Sequence, residues 1–361
     1  MKKSRPNQEK RERLRSPKPA NIYDVAKHAD VSIKTVSRVV NGMTNISEAT
    51  RKRVLAAVAA LSYRPNVFAR GLASEQSYLI GLLCDIPAAG SGYIAALQTG
   101  ILARCRNEGY HLIVDSLDGE RPDLGNQVTS LLAESRLHGV ILTPPLCDIP
   151  AVLDALKRAN TPYVRIAPEK SLSGSHDVRI DDYKAAFDMT AYLIGLGHKR
   201  IGFVKGPPDH GDANARFAGY RAALTEANLP ITEELCVPGL FSYQSGLQAG
   251  EILLRLKVRP TAIFACNDDM AAAVLATAHR FNLNVPNQIS VAGFDDSLVA
   301  QVVWPRLTTC RQPIEEMAKT AVSILIQKSS ENEVQVRRLD HELVVRESTA
   351  TAPRLVPTPA D

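Results

Sequence analysis

From Tyr78 onward the chain repeats one unit: a short apolar run, then a longer stretch whose apolar residues recur at helical spacing. The runs are LIGLLCDI, YHLIVDS, GVILTPP, PYVRIA, RIGFVKG, TAIFACND and ISVAGFDD; segments such as YIAALQTGILARCRNEG and DMTAYLIGLGHK lie between them. Strands this apolar along their length are buried on both faces, and regular alternation with helices makes them parallel. About 270 residues built this way suggest two such lobes. In this architecture ligands sit at the carboxyl ends of strands, and a cleft between lobes is a natural pocket. With 45% hydrophobic residues the chain can bury sizeable cores. No uncharged apolar run of about 18 residues occurs, so no membrane span is expected. The basic N-terminus lacks an apolar h-region, so no secretory signal is expected either. Cys84, Cys105, Cys147, Cys236, Cys266 and Cys310 form no C-x-x-C pair. Reduced, buried cytoplasmic thiols are the expectation, with no metal site.

Charge separates a second region from this body. The chain holds 43 Lys and Arg and 38 Asp and Glu; of these, 16 and 6 lie in residues 1–77, leaving 27 and 32 for the rest. A basic fifth on an acidic body points to a polyanion-binding module attached to something else. Residues 1–19 are polar, charged and hold three prolines, and are expected to be disordered. Ile22, Val25, Ala26 and Ala29 then recur at helical spacing. Ser32 is a good N-cap for a second helix whose apolar side is Val36, Val39 and Val40, stopped by Asn41-Gly42. Ser47 can cap a third helix, with Val54, Leu55, Val58 and Leu61 as its buried stripe. Three short helices with a tight turn between the first two make a helix-turn-helix unit. The first and third form a small core that holds the second outward, presenting Ile33, Lys34, Thr35, Ser37 and Arg38 to a major groove. By geometry alone, two packed helices of an ordinary domain compete with this reading.

The stretch NIYDVAKHADVSIKTVSRVVNG, followed by ISEATRKRVLAAVAALSYRPNVFARGLAS, resembles the DNA-binding headpiece of the lac-repressor (LacI/GalR) family, unbroken from Asn21 to Ser74. Asp30 departs from the family's usual glycine in the turn; Asp tolerates positive φ better than most residues. The resemblance implies that Ile33, Lys34 and Arg38 face base edges, while Thr35, Ser37, Asn41, Ser47 and Arg51 serve phosphates. It also implies that YRPNVFARGLAS forms a hinge helix on DNA, with Asn66, Ala69 and Arg70 matching the family pattern and Leu72 the leucine wedged into the minor groove.

The body resembles the same family's periplasmic-binding-protein-like core. The implied fold is an all-α helix-turn-helix headpiece plus an α/β two-lobed core. The implied divisions are a tail at 1–19, the headpiece at 20–63, the hinge helix and linker at 64–77, the core at 78–348 and a disordered tail at 349–361. Three crossovers fall near Val178–Asp181, Leu307–Cys310 and Leu339–Glu342. Lobe 1 then comprises about 78–180 and 310–340, and lobe 2 about 181–309 and 341–347. The implied effector contacts are Asp295 and Asn267 at strand ends, Arg216 in NARFAGYRAAL, and Phe241 as an aromatic platform. Asp85 and Tyr93 follow the first strand and face the same cleft. Singly, each has a bland reading: a turn or cap aspartate, a surface arginine, loop residues. Asp268 is expected to cap a helix, and Trp304 to pack in the core as readily as to touch ligand.

An enzyme is disfavoured. GLGHKR lacks a third glycine and precedes a strand, and neither G-x-x-x-x-G-K-[ST] nor G-x-S-x-G occurs. The adjacent carboxylates Asp181-Asp182 and Asp268-Asp269 read as solvated turns or caps. The expectation is therefore a cytoplasmic transcription regulator without cofactor, a homodimer or tetramer, whose partners are operator DNA and a mono- or oligosaccharide effector that releases a repressor. The alternative is an activator, or a regulator using a co-repressor such as a purine.

Overall fold

The computed structural model describes residues 20–40, 45–63, 77–86, 91–327 and 334–353. Asn41 and the hinge positions Asn66, Ala69, Arg70 and Leu72 lie outside these. The chain divides into two compact units, Met1–Ser77 and Tyr78–Asp361.

The first unit holds α1 (Ile22–His28), α2 (Ile33–Val40) and α3 (Glu48–Ala60). Asn21 caps α1 reciprocally: its side chain accepts from the amides of Tyr23 and Asp24, and the Asp24 carboxylate accepts from the Asn21 amide. Asp30 takes φ 48° in the turn, the left-handed region its short polar side chain tolerates. Val25, Ala26, Ala29, Val36, Val39, Val54 and Ala57 make the core. Leu55, expected in the stripe of α3, is 50% exposed. Val54, Ala57, Val58 and Leu61 are spaced by three, one and three residues and share a face; Leu55 lies about 100° round the helix from Val54.

The second unit contains two six-stranded sheets, ordered β11-β5-β4-β3-β1-β2 and β12-β10-β9-β8-β6-β7. In chain order the first half runs β1 (Leu79–Asp85), α4 (Gly92–Glu108), β2 (His111–Leu117), α5 (Leu124–Ser135), β3 (Gly139–Leu142), α6 (Pro150–Arg158), β4 (Tyr163–Ile166) and β5 (His176–Arg179). The second begins with α7 (Asp182–Gly195), β6 (Ile201–Val204), α8 (Gly211–Glu226), β7 (Cys236–Val237), α9 (Tyr243–Leu254) and β8 (Ala262–Ala265). It continues through α10 (Asp268–Arg280), β9 (Ser290–Asp295), α11 (Leu298–Val302) and β10 (Thr308–Arg311). The chain then returns to the first half for α12 (Ile314–Ile326) and β11 (Val336–Arg338), and ends with β12 (Glu342–Val344).

Burial on both faces explains the apolar runs. In β1, Ile80, Leu82 and Cys84 join one core cluster while Leu83 joins another on the opposite face. All pairings in the first sheet are parallel. The second departs from the expected parallel pattern at one edge, where β12 runs antiparallel to β10.

Three further expectations are corrected. The second crossover follows Arg311 and does not lie at 307–310, because β10 pairs with β9 from Thr308↔Ala292 to Arg311↔Asp295. Its threonines resemble a loop in sequence, yet both are fully buried, their hydroxyls bonded to Thr349, the Arg346 carbonyl and Asp268. The segment from Thr349, expected to be disordered, is ordered through Pro353. His198 meets the Ala350 carbonyl at 3.0 Å, the Ala352 amide donates to the Leu196 carbonyl, and Tyr192 meets the Thr349 hydroxyl. Trp304 is 75% exposed and packs in no core; Leu298 and Val302 of the adjoining α11 are likewise exposed. Cys236 is partly buried and the other five cysteines are fully buried, all as free thiols.

Candidate functional site

Two separate constellations emerge. On α2, Val36 and Val39 face the core, so the opposite side is presented: Ile33, Lys34 and Arg38 are exposed, and Thr35 and Ser37 are partly so. The Ser32 hydroxyl accepts from the Thr35 amide at 3.1 Å and pairs with the Thr35 hydroxyl at 2.8 Å, fixing the helix start. Ser47 does the same for α3, accepting from the Thr50 amide and donating to the Thr50 hydroxyl. Arg51, Lys52 and Arg53 follow in the next turn. A helix displaying cations and short side chains, with capped neighbours on either side, fits a major groove and its flanking phosphates.

The second constellation lies at the carboxyl ends of β6, β8 and β9. Arg216, on α8, is 3% exposed. Its Nε donates to Asp182 at 2.8 Å, one Nη to the Cys266 carbonyl at 2.8 Å, and the other to Asp212 at 3.4 Å. The guanidinium stacks 3.8 Å from the Phe294 ring centroid and lies 5.8 Å from that of Phe241. Burial pushes the Asp182 carboxyl up to about 6 although Arg216 opposes the shift. Burial also works against charge on Asp212, but Arg216 and His210 outweigh it and hold that carboxyl below its ordinary value.

Asp295 ends β9 with φ 112°, a region unfavourable to any side chain. Its Oδ1 accepts from the Gln312 amide at 2.7 Å. Burial, offset in part by Arg216 and Gln312, raises it to about 7. Phe241 also has positive φ, 55°. Asn267 holds it there: its Nδ2 donates to the Phe241 carbonyl at 2.9 Å, while its Oδ1 caps α10 by accepting from Met270. The expected capping role of Asp268 thus belongs to Asn267. Asp268 is instead buried, accepting from the Thr309 hydroxyl at 2.6 Å and the Ser297 amide at 2.7 Å. Burial and the charge of Asp295 keep it well above the usual carboxylate range.

The first half meets this cluster across the cleft. Burial and the carboxylates of Asp212, Asp295 and Asp182 push the Tyr93 phenol well above its ordinary value. Asp85, at the end of β1, accepts from the Gly119 amide at 3.0 Å and so fixes the loop after β2. Glu169, in the loop after β4, lies so close to Gly211 that a methyl group there would collide with its backbone. The structure therefore brings Arg216, Asp295, Asn267, Phe241 and Tyr93 together and leaves Asp85 as a loop anchor on the opposite wall. The sequence reading missed Asp182, Asp212, Gln312 and Phe294. Asp212 stands four residues before Arg216 on one helix, a spacing that announces a pair. Asp182, read as a solvated turn, reaches Arg216 across 34 residues of sequence, and nothing local signals that. Among the described residues no cluster could hold a metal ion, and no helix is long and apolar enough to cross a membrane.

The lacI family of bacterial regulatory proteins matches residues 21–66, and the periplasmic binding protein-like domain matches residues 190–349. Catabolite control protein A of Priestia megaterium is 36% identical over 331 residues, covering 91% of this chain and 98% of that protein. This chain belongs to the lacI family. Family members are DNA-binding transcription regulators. The ribose operon repressor of Escherichia coli is 33% identical over 321 residues, 89% of this chain and 96% of that one. The transcriptional repressor PurR of Photobacterium profundum is 34% identical over 336 residues, 91% and 98%. The lac repressor dimer bound to operator and the anti-inducer ONPF superposes with a TM-score of 0.78 at 30% identity, covering 92% of this chain and 100% of that one. The regulator CelR in complex with cellobiose gives 0.70 at 29% identity, covering 91% and 99%.

Proposed function

We propose that this lacI-family regulator is a homodimeric repressor whose grip on operator DNA is loosened by a sugar bound between its two lobes. One observation carries the proposal: Arg216 and Asp295, two charged side chains of the cleft, are each held by a residue beside a chain crossover. Asp182, which grips Arg216, opens α7 directly after the first crossover; Gln312, which grips Asp295, lies in the second. A ligand drawing on Arg216 and Asp295 therefore acts on the segments about which the lobes turn. Coupling of this kind is ordinarily worth about 1–3 kcal/mol.

Asp295 can accept two hydroxyl hydrogen bonds and Phe241 can lie against a sugar face, with Tyr93 closing the other side. Relatives named for ribose and a neighbour solved with cellobiose support a sugar. On the DNA side, Ile33, Lys34 and Arg38 read bases, and Thr35, Ser37, Ser47 and Arg51 contact phosphates. Asn41 joins the phosphate set, and Asn66, Ala69, Arg70 and Leu72 the minor-groove segment, on sequence alone. The test is a thermal-shift screen of the full chain against sugars and purines, followed by fluorescence-anisotropy titration of a genomic operator duplex with each hit. Release by a sugar is the expected result. Tightening by a purine would replace the inducer reading with a co-repressor one, as the name of the PurR relative suggests.

A further inference from the structure

Arg165 stands inside β4, in the otherwise apolar run PYVRIA, where a strand is covered on both faces. Its side chain and that of Asp177, its register partner on β5, are both fully buried. Neither belongs to the effector contacts described above. Burying an ion pair costs desolvation, and an apolar pair of similar volume commonly serves stability as well. The bonds of the guanidinium show what it does instead. Its Nε donates to the Ser175 hydroxyl at 3.1 Å and to Asp177 at 3.0 Å, and one Nη to Asp148 at 3.1 Å. The other Nη donates to the Lys170 carbonyl at 2.9 Å and to Asp177 at 3.1 Å. The loop at 167–175 is thereby tied down at Lys170 and Ser175 by one side chain. Asp148 extends the tie, since its second oxygen accepts from the Glu169 amide at 2.9 Å. Arg179, on the same face of β5 as Asp177, holds the loop again by donating to Ser171 at 2.6 Å.

The loop so held meets the second half at Gly211, the first residue of α8. A Cβ added there would lie 2.4 Å from the Glu169 Cβ and 2.5 Å from its Cα. Contact this close passes on a displacement only where both sides are stiff. A long surface loop is ordinarily the soft side; here a buried guanidinium stiffens it. Arg216 stands on the same helix as Gly211, so the seat of α8 also sets where that side chain lies. We infer that Arg165 is a positioning residue: it makes the 167–175 loop a rigid stop on which α8 seats, and so fixes the lobe angle on which operator binding depends. This rests on the reading above that lobe movement governs the grip on DNA.

Two experiments on the full chain test this, and neither needs an effector. Arg165→Met with Asp177→Leu removes both buried charges together, so neither is stranded. If that protein does not fold, Arg165→Lys serves: it keeps a cation beside Asp177 and forfeits the fork that reaches Lys170 and Cys147. In the first experiment the probe is trypsin. The carbonyl of the bond it cuts after Lys170 is the one Arg165 holds, so the contact itself protects the site. Cleavage there should be faster by at least about tenfold in the variant, the factor that charge-assisted bonds carry. Unchanged cleavage would overturn the inference, as would cleavage spread along the whole chain with a lowered melting midpoint, which would make Arg165 a stability residue only. The second experiment reads operator affinity by fluorescence anisotropy, on a duplex that the wild-type protein selects from genomic fragments. Gly211→Val pushes α8 off a rigid stop, whereas a loose one absorbs the added side chain. It should shift operator affinity by at least about fivefold in the wild-type background and by less than about twofold beside the Arg165 variant. The same shift in both backgrounds, or none in the first, would overturn the inference. A sugar that releases operator while Gly211→Val is silent would sink the stop and leave the effector reading standing; a sugar that binds without release, beside an active Gly211→Val, would do the reverse.

Discussion

Replacing Asp295 by asparagine should make the protein more stable while removing its response to effector. In the folded chain this carboxyl sits at about 7 against an ordinary 3.8, with burial as the main cause. Each unit corresponds to about 1.36 kcal/mol, so ionised Asp295 costs the fold about 4 kcal/mol above pH 7. The sign follows from linkage. The folded state holds its proton to higher pH than the unfolded state, so stability falls as pH rises from about 4 to 7 and levels off above. Asparagine keeps the shape and an acceptor for Gln312 and carries no charge, so it removes the penalty where the penalty exists. For a domain of this size, about 2–4 °C accompanies each kcal/mol. Coupling to Arg216 and Asp212 reduces the yield, leaving a gain on the order of 5–10 °C at pH 8 that shrinks to nothing near pH 4. Differential scanning calorimetry of wild type and Asp295→Asn across that range reads it directly. A gain independent of pH, or a loss of stability at pH 8, would refute the reasoning.

Arg38→Ala should weaken discrimination at one base position by about 1–3 kcal/mol; operator-variant titrations check it, and a uniform loss on all sequences would assign Arg38 to phosphate instead. Gly211→Val should hold the lobes apart, because the added side chain meets the Glu169 backbone. Small-angle scattering should show a larger radius of gyration, with effector affinity at least about tenfold weaker. Ser47→Ala should destabilise the first unit by about 1 kcal/mol through loss of the α3 cap, read by circular dichroism melting. Ending the chain at Glu347 should destabilise the second half by more than about 3 kcal/mol, because the Ser348 and Thr349 bonds to Thr308, Val291 and Tyr192 are lost. Urea denaturation measures this, and an unchanged midpoint would contradict the strapping role of that segment.

The cleft shows where sequence reading stops. Asp295, Arg216 and Phe241 can be named from the sequence only through the family resemblance, which sets each of them at an effector-contact position. Their partners cannot. Asp182 looks like one of two adjacent turn aspartates, and only the folded chain separates them: Asp181 caps α7 and pairs with Arg338, whereas Asp182 turns inward to Arg216. Thr308 and Thr309 look like a loop until a buried acceptor for each hydroxyl is seen. Trp304 looks like core, since nothing in its neighbours reveals that the short α11 leaves it at the surface.

By itself the sequence determined the repeated strand-helix order, the three helices of the basic unit with the caps of the second and third, and, Leu55 apart, the faces those helices bury. Hydrophobic periodicity, capping chemistry and charge excess all act within a few residues and are written locally. The tertiary structure alone decided where the chain changes lobes, that a supposed loose end straps the second sheet, and that the cleft arginine is already paired. Those outcomes depend on which distant groups share a low-dielectric interior. There an unsatisfied hydroxyl or carboxylate must find its partner wherever the fold delivers one.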